Sequence, residues 1–248
     1  MVWIMLMLLG SVLGSFANVC IWRLPRGESI AWPPSHCTHC EGKLRPWHMV
    51  PVFSWLVLRG KCAMCGGPIS IQYPLVELST AILFGIIGYR WGISLQTATY
   101  CILTLALIII IGTDLSHREI PDQVSLGASA VLGAIALATL NWHALLGGLV
   151  LFIILFLIAV ASRGGMGGGD IKLSLAIGLA LGWKLGLVAL VAAFLAGGAL
   201  AVILLIRGKR GKMLPFGPFL AAGAWIAMFW GEWIIELYWN FSLLLWRW

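Results

Sequence analysis

The chain reads as an all-α polytopic membrane protein of about eight transmembrane helices, with one small polar domain between the first and the second. Three observations lead there. Of 248 residues, 61% are hydrophobic and only 10% charged, whereas soluble domains carry about a quarter charged residues. Apolar runs of about 20 residues, enough to cross a bilayer, recur along the chain. Prolines, charges, histidines and four of the six cysteines gather in a single stretch, residues 22–73. This pattern excludes a soluble globular domain, a disordered tail and a secreted disulfide scaffold.

The first run covers residues 2–21. Nothing basic precedes Arg23, so it lacks the charged start of a cleavable leader and reads as a retained span with its N-terminus outside. After the polar stretch, further apolar runs follow at 74–91, 94–113, 122–140, 143–162, 171–183, 185–206 and 216–237. The organisation is therefore a first helix (1–21), a polar domain (22–73) and a seven-helix membrane bundle (74–248). The run 171–183 is short for a full crossing and is expected to be tilted, sunk beside a cavity, or broken.

Charge placement orients these spans. Putting 22–73, 114–121, 163–172 and 207–215 on one side collects thirteen of the sixteen Lys and Arg residues, leaving Arg90, Lys184 and Arg247 on the other. The positive-inside rule makes the rich side cytoplasmic. The net charge of +7 thus reports topology and no nucleic-acid partner. Arg207, Lys209, Arg210 and Lys212 read as topology anchors that attract anionic membrane lipid. Trp142, Trp183, Trp233, Trp239, Trp246 and Trp248 fit an aromatic belt on the outer face.

Cys37, Cys40, Cys62 and Cys65 form two C-x-x-C pairs separated by 21 residues. Two such knuckles can present four thiolates tetrahedrally, which suits a structural zinc on a reducing cytoplasmic face. Glycine beside each second cysteine, at Gly42 and at Gly66-Gly67, lets backbone amides turn toward the sulfurs. Four thiolates leave no open position for catalysis. His36 and His39 lack the knuckle spacing, and Cys20 and Cys101 lie inside spans as small packing residues.

Three aspartates remain: Asp114, Asp122 and Asp170. Carboxylates at a membrane edge are costly and therefore informative. Asp114 ends the third span, where the helix dipole disfavours an anion and capping gives no account of it. Asp170 follows a glycine run and opens the sixth. Both lie at the cytoplasmic edge on different helices, where two carboxylates can share a proton, activate a water and polarise a peptide carbonyl. The glycines before Asp170 permit another backbone to approach. Asp122, after Pro121, reads as an acid complementing a helix start.

The ordered set of motifs resembles the type IV prepilin peptidases, bacterial membrane aspartic proteases of the glycine-x-glycine-aspartate class. It runs from Gly14-Ser15-Phe16-Ala17-Asn18-Val19 through Arg23-Leu24-Pro25, Gly27-Glu28-Ser29 and Pro34-Ser35-His36-Cys37. It continues with Pro51-Val52-Phe53-Ser54-Trp55, Gly60-Lys61-Cys62, Ile69-Ser70 and Tyr73-Pro74-Leu75-Val76-Glu77. It ends with Asp114, Ile120-Pro121-Asp122 and Gly165-Met166-Gly167-Gly168-Gly169-Asp170-Ile171-Lys172-Leu173. The resemblance implies Asp114 and Asp170 as the catalytic pair, with Gly167, Gly168, Gly169 and Lys172 as the loop the substrate approaches. It implies substrates that are prepilins and pseudopilins, with a basic leader and a hydrophobic helix, cut after a glycine at the cytoplasmic face of the bacterial cytoplasmic membrane. It also implies N-methylation of the new terminus from S-adenosylmethionine, linked to Glu28 and Ser29 in the polar domain. Gln72 departs from the basic residue that often precedes Tyr-Pro in the family.

The rival class is a proton- or cation-coupled transporter with a zinc docking module. A proton path strings ionisable groups through the bilayer, whereas these acids gather at one face.

Overall fold

A computed structural model describes residues 1–162, 165–208 and 214–245. Lys209, Arg210, Lys212, Trp246, Arg247 and Trp248, assigned above to anchors, belt or loops, lie outside the described residues. Among the described residues the secondary structure is helical, with two isolated β-bridges in the polar segment. The helices are α1 (Val2–Arg23), α2 (Phe53–Val57), α3 (Gln72–Trp91), α4 (Leu95–His117), α5 (Asp122–Ala138), α6 (Trp142–Ala161), α7 (Gly168–Ile206) and α8 (Gly217–Leu245).

Five of these, α1, α4, α6, α7 and α8, are long and apolar enough to cross a membrane, and α5 is a shorter apolar helix. All eight expected runs fall on helices, but 171–183 and 185–206 form one element, α7, 39 residues long. It is broken at Gly182, whose φ of 74° and ψ of 173° no helix contains. The short run therefore ends at a break, the third of the outcomes expected for it.

The chain divides into two compact units, Met1–Thr113 and Asp114–Trp248. In the first, α1 packs on α3. Gly10 and Gly14, one turn apart on α1, allow close approach: a Cβ on Gly10 would stand 2.7 Å from Thr80 O, and one on Gly14 would stand 2.8 Å from Glu77 Cα. Small residues let backbones meet where lipid gives helices no hydrophobic reason to associate. One turn further, the buried Asn18 donates from Nδ2 to Tyr73 O at 3.1 Å.

In the second unit α7 is central, packing on α5, α6 and α8. Gly147 of α6 and Gly178 of α7 face each other so closely that a Cβ on either would collide with the other's carbonyl oxygen. Gly223 of α8 meets Ala189 O of α7 in the same way.

Candidate active site and metal centre

In the polar segment the two knuckles are near-copies. Cys37 N–H bonds Gly42 O at 3.0 Å and Glu41 N–H bonds Cys37 O at 2.9 Å; Cys62–Gly67 and Gly66–Cys62 repeat these at 2.8 and 2.9 Å. Each loop closes through a residue in the left-handed region, Glu41 at φ 56° and Gly66 at φ 71°. The four Sγ atoms lie within 4.8 Å of one another, and Cys37 and Cys65 are 3.9 Å apart. Sulfurs at about 2.3 Å around a tetrahedral zinc stand about 3.8 Å apart, so the donor set fits such an ion. Backbone N–H groups of His39, Met64 and Gly67 point at Cys37, Cys62 and Cys65 sulfurs over 3.4, 3.5 and 3.4 Å. Backbone amides at Cys65 and Met64 push the Cys62 thiol down to about 7, toward the thiolate that ligates metal. His36 and His39 contribute no ligand to the cluster.

The turn after α1 is organised by Arg23. Its buried guanidinium donates to Ser29 O at 2.9 Å and Pro33 O at 2.7 Å, wrapping residues 29–33 around it. Arg26 lies over the Trp22 ring and donates to Trp22 O. Ser29 Oγ accepts from Ala31 and Trp32 N–H, closing a local turn. Glu28 is exposed, and its N–H bonds Arg23 O.

In the second unit, Asp114 and Asp170 line one cavity of about 250 Å³. The remaining lining is Arg118, Glu119, Ile120, Gly167, Gly168 and Gly169. Asp114 comes from the last turn of α4 and Asp170 from the first turn of α7. Both side chains are buried, at 5% and 7% exposure. Gly168 and Gly169 are not loop residues but open α7. A Cβ on Gly169 would stand 2.6 Å from Ile120 Cβ, whereas Gly168 faces open space. Glycine at these positions keeps a backbone-walled opening beside the two acids.

Lys172, expected in the same loop, lies away from the cavity lining. Its Nζ reaches both carboxylate oxygens of Asp122 at 2.7 Å. Asp122 stands in the first turn of α5, as an acid complementing a helix start, and its carboxylate is also met by a lysine 50 residues later.

Two residues escaped the sequence reading. Gly217 N–H, at the start of α8, donates to Asp114 Oδ2 at 2.8 Å; its only signal was a proline-flanked helix start, Pro215-Phe216-Gly217-Pro218. Glu77, in the Tyr-Pro motif, is buried and accepts Val52 N–H at 2.6 Å. A lone acid three residues after a helix-opening proline gave that residue no distinctive signature.

Comparison with known proteins identifies the family. Residues 8–91 match the bacterial peptidase A24 N-terminal domain, and residues 101–202 match the type IV leader peptidase family. A prepilin leader peptidase/N-methyltransferase of Bacillus subtilis is 38% identical over 238 residues, covering 94% of this chain and 96% of the relative. Proteins of the same description from Stutzerimonas stutzeri and Pseudomonas aeruginosa are 32% and 34% identical, covering 96% and 95% of this chain and 94% and 92% of theirs. No solved structure matches the chain.

Proposed function

Because this chain belongs to the type IV leader peptidase family, we propose that it is a membrane aspartic endopeptidase removing the basic leader of prepilins and pseudopilins after a glycine. The carrying observation is the convergence of Asp114 and Asp170 on one glycine-walled cavity. One carboxylate takes a proton from water as the oxygen attacks the scissile carbonyl, and the other, protonated, donates to the carbonyl oxygen. Gly167, Gly168 and Gly169 leave room for the substrate backbone. Lys172 supports the opening of α7 through Asp122.

In this reading residues 1–21 anchor the chain, 22–73 form the cytoplasmic domain, and 74–248 carry the pair, with eight crossings if both halves of α7 and the helices α3 and α5 span the membrane. The site faces the cytoplasm of the bacterial inner membrane, where a prepilin presents its leader while its apolar helix stays in lipid. A scissile bond at that depth reaches the acids without dragging polar backbone into hydrocarbon. Cys37, Cys40, Cys62 and Cys65 hold a structural zinc that folds the polar domain. The same domain binds S-adenosylmethionine and methylates the new N-terminal amine, the second activity in the relatives' names. The test is co-expression with a prepilin: leader removal and a methylated mature N-terminus by mass spectrometry support the reading, and an unprocessed prepilin overturns it.

A further inference from the structure

The two aspartates share a cavity but not an environment. Asp114 Oδ2 accepts the Gly217 N–H over 2.8 Å, at a buried position. An N–H can only donate, so the oxygen facing it carries no proton of its own along that direction. A carboxylate receives such a bond as a charge-assisted one, about twice as strong as its neutral counterpart. Asp170 differs: its Oδ1 is buried and has no hydrogen-bond partner, although the residue is 7% exposed. An ionised oxygen left unpartnered is costly to bury, whereas a protonated acid awaiting a carbonyl acceptor is less so. Each acid sits near the start of a long helix, α8 for Asp114 and α7 for Asp170. Asp114 also lies in the last turn of α4, whose dipole disfavours an anion, so the dipoles do not select it as the charged member. Asp170 meets a backbone amide too, that of Gly167, but its Oδ1 stays without a partner, so the 2.8 Å bond from Gly217 is what singles out Asp114.

We propose that Gly217 is the positioning residue of the pair: its backbone N–H holds Asp114 as the base and leaves Asp170 as the acid. The inference rests on the peptidase reading above. In the first step a water proton passes to Asp114, the water oxygen bonds the scissile carbonyl carbon, and the Asp170 proton passes to the carbonyl oxygen. In the second the carbon–nitrogen bond breaks, the proton on Asp114 moves to the leaving amine, and one hydroxyl proton of the diol returns to Asp170. One water is consumed, and both acids end as they began. Gly217 itself touches no reacting atom. It fixes the rotamer of Asp114 and supports the charge that the carboxylate carries before each turnover.

The test compares Gly217→Pro, which deletes the N–H yet suits the first position of a helix, with Gly217→Ala, which keeps it. Full-length enzyme in proteoliposomes is assayed on a purified prepilin. Loss of a hydrogen bond to a charged group predicts a roughly ten- to hundredfold fall in kcat for Gly217→Pro. KM is expected to stay within about threefold, because the bond acts on the reacting pair and not on substrate binding, and Gly217→Ala, which keeps the N–H, to lose less kcat than Gly217→Pro. Equal losses in both variants, or an unchanged kcat in Gly217→Pro, would overturn the assignment. A second measurement does not depend on the proline variant folding. Labelling Phe carbonyls with ¹³C and Gly amides with ¹⁵N selects only Gly85 and Gly217, the two glycines that follow a phenylalanine. Asp114→Ala should shift the Gly217 amide proton upfield and speed its exchange, while Asp170→Ala should leave it in place; no response to Asp114→Ala would overturn the contact. Failure of the peptidase reading looks different, since it appears as a prepilin left unprocessed by the unmodified enzyme.

Discussion

Lys172 Nζ stands 2.7 Å from both carboxylate oxygens of Asp122, tying the second turn of α7 to the first residue of α5. The side chains are 36% and 56% exposed, so water screens the pair and its contribution is at most about 1 kcal/mol. Asp122→Asn should therefore keep prepilin cleavage within about threefold and move the melting temperature little. Lys172→Asp alone places two acids together and should cost more than the reversed pair Asp122→Lys with Lys172→Asp. Melting curves of the three variants check this, and a charge reversal that rescues nothing would show that the contact does not form.

The glycine contacts predict a position-dependent response to added side chains. Gly147→Val forces α6 from α7, since even a Cβ at Gly147 collides with Gly178 O. Such overpacking costs at least about 1–3 kcal/mol. Gly127→Ala, on the same fold but with nothing within 4 Å of its Cβ, should be neutral or gain roughly 0.5–1 kcal/mol of helix stability. Thermal unfolding in detergent separates the two.

Metal removal should act on the polar domain first. Cys37→Ser with Cys40→Ser should abolish zinc binding, read as close to one zinc per chain in the parent protein. Residues 22–73 should then become protease-sensitive. Within the knuckles, Gly66→Ala should destabilise by about 1–2 kcal/mol because φ there is 71°. Glu41→Gly, at φ 56°, should stabilise. A metal analysis that finds neither zinc nor iron in carefully prepared protein would remove the site.

Much of this architecture was legible in the sequence, and the exceptions share a cause. Span length, charge asymmetry and cysteine spacing are properties of the chain itself, so helices and knuckles could be read from them. The break at Gly182 was foreshadowed by the shortness of 171–183, but a glycine among many apolar residues does not announce its φ. Lys172 and Asp122 are 50 residues apart, and spacing cannot reveal a partner on another helix. Gly217 acts through its backbone, which has no letter in the sequence. Glu77 works by accepting one N–H from Val52, whose φ of 61° no periodicity suggests.

Glu77 yields a prediction of its own. Glu77→Ala leaves the Val52 N–H without its acceptor, a loss of about 1–3 kcal/mol. Glu77→Gln keeps an oxygen there and should lose less. Limited proteolysis around residues 46–57 reads the difference, and identical digestion of both variants would show that the bond holds nothing in place.

The two activities should separate at Glu28. Its side chain is exposed and is not among the residues that line the cavity of the aspartates, so Glu28→Gln should leave folding and cleavage near wild type while lowering methylation of the mature N-terminus. Mass spectrometry of processed pilin decides it. Methylation unchanged from the parent enzyme would remove Glu28 from the transfer reaction.

The most direct measurement of the central claim is the single-turnover rate of leader removal by Asp114→Asn and Asp170→Asn enzymes, each inserted in proteoliposomes and checked for folding. The shared-proton mechanism predicts that each loses at least about a hundredfold, since an amide neither takes the proton from water nor gives one to the carbonyl. A near-wild-type rate in either variant would contradict it.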